Sequence, residues 1–119
     1  MRYEELAPVY SHMESDQGLL DAYRVNAEVL GRQFTLDDER APIPTLSTDM
    51  ANISLAIPSI HPLIALESGG AVNHQPEFAA ACVTESADAA LRDGALAMAW
   101  TTVDAATDGG LRDRLLATS

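Results

Sequence analysis

Residues 45–70 read TLSTDMANISLAIPSIHPLIALESGG, a polar loop followed by two short apolar runs and a glycine pair. The second run, Ser59 to Leu66, has the length and apolar content of a buried strand, and Gly69 and Gly70 close it with a turn. Pro62 brings no N–H to a ladder, which places the run at a sheet edge or beside a bulge. A strand region of this kind between helical stretches predicts an α/β fold: a helix, then short strands, then C-terminal helices.

The helical stretches lie on both sides. Before it, DQGLLDAYRVNAEVLG spaces Leu19, Leu20, Tyr23, Ala27 and Leu30 along one helix face, with Asp16 as N-cap and Gly31 as stop. Residues 32–44 carry an acidic cluster and two prolines and read as an exposed connection. After it, Pro76 opens a short helix in PEFAAAC, and a long helix runs from Thr84 to Thr107. Leu91, Ala95, Met98, Thr102 and Ala105 form one face of the long helix and Leu96, Trp100 and Val103 another, so it needs cover on more than one side. DGG at 108–110 breaks it, and LRDRLLA follows as an amphipathic tail with Leu111, Leu115 and Leu116 on its apolar face.

At 119 residues with 47% hydrophobic content the chain has room for one modest core. Seven Lys and Arg against eighteen Asp and Glu give a net charge of -11, which repels phosphate backbones and anionic lipid surfaces, so nucleic acid and membrane are excluded as partners. Cys82 is the single cysteine, leaving no internal disulfide and no cysteine-based zinc motif. The opening MRYEELAPVY is too polar for a signal peptide, and the expected location is a reducing cytoplasm.

Two stretches offer chemistry. His74 lies in the loop NHQPEF, residues 73–78, and an isolated imidazole is one ligand where a zinc site needs roughly three or four. In STDMANIS, residues 47–54, Ser47, Thr48 and Asp49 are placed to orient a polar substrate after an apolar segment, and the same residues also fit a helix N-cap. His61, inside an apolar run, reads as buried and hydrogen-bonded to backbone. His12 reads as exposed and without a partner.

LSTDMANISLAIPSIHPLIAL, GGAVNHQPEF and the alanine-rich helix ending ALAMAWTTVDAATD, taken in that order, resemble the C-terminal end of the dizinc amidohydrolases. These are the metallopeptidases that include aminoacylases, p-aminobenzoyl-glutamate hydrolases and aminoacylase-like dipeptidases. The resemblance runs from about Asp16 to Ala117. It implies a partial three-layer α/β/α zinc-exopeptidase-like catalytic domain over residues 16–119, with residues 1–15 a remnant of the end of a lid domain and its linker. It maps one zinc ligand onto His74 and a loop bordering the active site onto Ser47, Thr48 and Asp49. Ala51 stands where dipeptidase-type relatives tend to carry glycine.

The family's H-x-D metal motif, its paired glutamates with the general base and its other carboxylate ligand have no counterpart in this chain. The resemblance therefore implies the C-terminal fragment of a zinc-dependent enzyme cleaving amide bonds of N-acyl amino acids or dipeptides, inactive alone. The expected partner is a missing N-terminal segment or a homo-oligomer. The alternative is a non-catalytic, self-associating interaction domain derived from the same fold.

Overall fold

The computed structural model describes residues 9–34 and 48–117. The connection at 35–44, Ser47 and most of the expected lid remnant lie outside these residues. Five helices follow in order: α1 (Gln17–Val29), α2 (Met50–Ser54), α3 (Pro76–Ala81), α4 (Glu85–Thr107) and α5 (Gly109–Ala117).

Their ends follow local chemistry. The Asp16 carboxylate accepts the Leu19 N–H at 2.9 Å and caps α1, and Gly31 takes a φ of 86 just past its end. The Thr84 hydroxyl caps α4 by accepting the Ala87 N–H, and Pro76 lies in the first turn of α3. Between α4 and α5 the break falls at Asp108 alone. Its carboxylate accepts the Leu111 N–H at 2.8 Å, so Gly109 and Gly110 form the first turn of α5.

The expected α/β architecture is not what forms: among the described residues there is no strand and no sheet. Ser59–Leu66 does run extended, within a stretch from 58 to 68 free of helix, turn and bend. A strand becomes part of a sheet only through a neighbouring backbone, and this segment meets side chains and helix ends instead. Ser59 accepts the Asp16 N–H at 2.9 Å, Ala65 accepts from Arg32 Nη1 at 3.1 Å, and the Glu67 N–H donates to the Ser86 hydroxyl at 2.8 Å. Asp16 and Arg32 flank α1, so the segment runs alongside that helix for roughly 20 Å by strand rise.

The core is small and built where α1 crosses α4. Tyr23, Ala27 and Ala97 are buried together, with Leu30, Phe34 and Ile60 packed around them and the Tyr23 and Phe34 rings edge-to-face at 6.4 Å. On α4 the buried residues are Ala87, Ala90, Ala97 and Thr101, with Gly94 in the same row. This row corrects the two faces read from hydropathy. Leu91, Met98, Trp100 and Val103 are exposed, because a close helix crossing selects small side chains and not the most apolar ones. Asn26 on α1 fastens the crossing from the side, donating to Thr101 Oγ1 at 3.2 Å and Asp104 Oδ2 at 2.7 Å.

Two arginines tie distant parts together. Arg32 reaches Asp93 of α4 at 2.8 Å while it donates to Ala65, and so joins the end of α1, the long helix and the extended segment. Arg114 of α5 grips both oxygens of Asp16 at 2.7 and 2.8 Å. A side chain at Gly18 would strike the Arg114 guanidinium, so glycine in the first turn of α1 keeps that approach open.

The Arg114 hydrogen bonds hold the Asp16 carboxyl below the usual carboxylate range, against the opposing effect of burial, with the Leu19 N–H adding to the lowering. A lowered folded value means that the contact stabilises fully above the unfolded carboxylate value of about 3.9 and is lost as pH falls through the folded one. Asp16→Asn is therefore expected to be less stable than wild type by a constant margin above about pH 5, and the margin shrinks below about pH 4. Chemical denaturation across pH measures it. A margin unchanged to about pH 2 rules out the linkage.

Candidate functional site

His74 sits in the loop between the Gly69–Gly70 turn and α3. The turn is closed by the Ala71 N–H to the Ser68 carbonyl at 3.1 Å, and both glycines take positive φ. His74 is exposed, and its φ of 65 makes it the one non-glycine among the described residues in the left-handed region. That conformation is uncommon away from glycine and costs of order 1 kcal/mol or more, which makes it a pointer to function at a residue that the sequence motif had already singled out. A shallow hollow of about 390 Å³ lies against the same loop, lined by Ser68, Gly69, Gly70, Ala71, Val72, Gln75 and Glu77.

Thr48 and Asp49 open α2. The Thr48 hydroxyl accepts the Met50 N–H at 3.3 Å, so its role in this chain is that of a helix-start residue. Asp49 is the N-cap by position but makes no side-chain capping bond, which leaves its carboxylate exposed to solvent. The rest of the STDMANIS loop works as a fastener. Asn52 accepts the Ser11 N–H at 2.8 Å and donates to the Val9 carbonyl at 3.2 Å, and the Ser54 hydroxyl accepts the Glu14 N–H at 2.9 Å. Residues 9–14 are held against α2 by these bonds.

The other histidines differ from their sequence reading. His61 is exposed instead of buried, because it lies on the outward side of the extended segment. His12 is exposed as expected but is not alone, with Nε2 2.8 Å from Glu14 Oε1.

The donor set does not make a complete zinc site. Among the described residues no three His, Cys, Asp or Glu side chains form a group able to hold a metal ion. His74 is one donor of the roughly three or four such a site needs. The hollow beside His74 does not include Thr48 or Asp49.

Sequence reasoning missed an apolar groove of about 420 Å³ between the start of α1, Ile57–Ile60, the second half of α4 and α5. Met98 and Leu116 line it from the two C-terminal helices. Its walls come from four separate parts of the chain, so no local pattern marks it. No helix of the described residues is long and apolar enough to cross a membrane.

No family model matches the chain, and no solved structure does. Two curated proteins do. The Xaa-Arg dipeptidase of Mus musculus is 31% identical over 101 residues, covering 85% of this chain and 23% of that protein. The chain is related to a peptidase. The Xaa-Arg dipeptidase of Homo sapiens is 32% identical over 95 residues, 80% of this chain and 22% of that protein. The chain thus spans less than a quarter of the length of either relative. Aligned stretches covering four-fifths of the chain cannot avoid its middle, so both take in α2, the extended segment and the His74 loop.

Proposed function

We infer that the chain is a portion of a dipeptidase-type, metal-dependent amidohydrolase, with His74 as one ligand of a zinc site whose other donors lie outside this chain. The similarity to the two Xaa-Arg dipeptidases supports this reading most, since it covers the His74 loop and α2 together. Residues 16–119 then belong to the catalytic domain and 1–15 to the link before it. An exposed imidazole in a left-handed turn suits a ligand offered to a site completed from elsewhere. The uncommitted Asp49 carboxylate, with Thr48 and Ser47, suits the border of a substrate pocket. An acidic chain also suits a dipeptide with a cationic side chain, such as one ending in arginine. On this reading the general base and the remaining ligands come from elsewhere, and the chain alone is expected not to hydrolyse amides.

The test is a chimera in which this chain replaces the matched stretch of the mouse Xaa-Arg dipeptidase. The isolated chain is expected to bind zinc more weakly than micromolar and to be inactive. The chimera is expected to hold metal and cleave an Xaa-Arg dipeptide, and His74→Ala should lower its activity at least ~100-fold with loss of metal. A folded chimera that keeps its metal and activity with alanine at position 74 refutes the assignment.

A further inference from the structure

We propose that the extended segment Ile60–Leu66 is an open strand edge that pairs antiparallel with the same segment of a second copy of this chain. From 60 to 68 exposure alternates residue by residue. Ile60, Pro62, Ile64 and Leu66 are turned inward and half-buried, while His61, Leu63, Ala65 and Glu67 are exposed. Ile60 packs on the core around Tyr23, and Ile64 lies opposite Gly94 of α4. One face of this segment is thus already covered by the chain's own helices, which is the support a two-stranded pairing needs in water.

Its two edges are not equivalent. In an extended chain the N–H and C=O of one residue point to one edge and those of the next residue to the other. The bonds to Ser59, Ala65 and Glu67 all fall on odd-numbered residues, so the chain's own groups serve that edge. On the other edge the backbone groups of Ile60, Pro62, Ile64 and Leu66 make no hydrogen bond among the described residues. That edge stops at Ser68, whose carbonyl is taken by the Ala71 N–H. At its other end stands Pro58, which has no N–H.

Such an edge is its own complement. Antiparallel pairing about a twofold axis at Leu63 sets Ile60 opposite Leu66 and Pro62 opposite Ile64. The N–H groups of Ile60, Ile64 and Leu66 each reach a carbonyl, and only the donor absent from Pro62 is missing. Charge selects this stretch for contact between copies. The chain carries a net charge of -11, yet residues 60–66 contain no Asp, Glu, Lys or Arg, so pairing sets no like charges across from each other. Leu63, 54% exposed in the single chain, meets its own copy at the axis.

The test uses the intact chain. Light scattering after size exclusion is expected to give a dimer. Amide exchange is expected to be slow at Ile60, Ile64 and Leu66 and fast at Leu63 and Ala65. Leu63→Glu and Leu63→Lys each place like charges across the axis and should weaken self-association at least ~10-fold, while an equimolar mixture restores the dimer as a mixed species. Position 63 is exposed, so both variants keep the fold. A monomer up to ~1 mM overturns the proposal, since that exceeds the range of a specific pairing. So does a dimer indifferent to charge at position 63, which would meet through another face, or a monomer whose edge amides are protected only by a different polypeptide.

Discussion

Replacing Tyr23 with alanine is expected to destabilise the chain by about 3–5 kcal/mol, the range for removing a buried aromatic ring. Among the described residues Tyr23 is the one large apolar side chain that is buried, the others being alanines, so the space can be refilled only if the half-buried Leu30, Phe34 and Ile60 move in from around it. Its ring also holds Phe34 edge-to-face and the inner side of Ile60. Removing it loosens α1, α4 and the extended segment together. Tyr23→Phe is the control and should be about neutral, since the Tyr23 hydroxyl makes no hydrogen bond among the described residues and is not a buried orphan. Chemical denaturation followed by helix content measures both. A loss below about 1 kcal/mol for the alanine variant would mean that the α1–α4 crossing is not the stabilising core.

Enlarging Ala97 to leucine should cost about 3 kcal/mol, at the upper end for overpacking. Ala97 is fully buried, and it lies in the row Ala87, Ala90, Gly94, Ala97, Thr101, in which Ala97 and Thr101 meet α1 and Gly94 meets Ile64 of the extended segment. Added methylenes there have no free volume to enter and must push the helices apart, which also stretches the Asn26 bonds to Thr101 and Asp104. Ala95→Leu, two residues away and exposed, is expected to leave stability within about 0.5 kcal/mol and serves as control. Similar losses at both positions would show that the small-residue row does not set the helix distance.

Both predictions concern a core assembled from residues that hydropathy ranks low, and this is where sequence and structure part. A scale of side-chain apolarity puts Leu91, Met98 and Val103 above Ala90 and Ala97, yet burial on α4 follows how near α1 and the extended segment come. The same difference separates the two readings of Ser59–Leu66. Its extended course was legible from its composition and flanking glycines. Membership in a sheet was not, because it depends on a neighbour that the described residues do not supply. At the candidate site the order of STDM, PSIHP and NHQPEF pointed to His74, while its left-handed backbone appeared only in the structure.

The ends of α1 and the start of α4 were readable from the sequence alone, since a cap such as Asp16 or Thr84 and a stop such as Gly31 act on neighbours within a turn, whereas the break after α4 was read as DGG and falls at Asp108 alone. Composition and charge likewise bounded the chain to one small acidic unit. Tertiary structure alone decided which faces are buried, that Asp16 answers to Arg114 and Arg32 to Asp93, and that the backbone of Ile60, Pro62, Ile64 and Leu66 makes no hydrogen bond among the described residues. Those contacts join residues tens of positions apart, and their formation depends on distances between elements that no local pattern encodes.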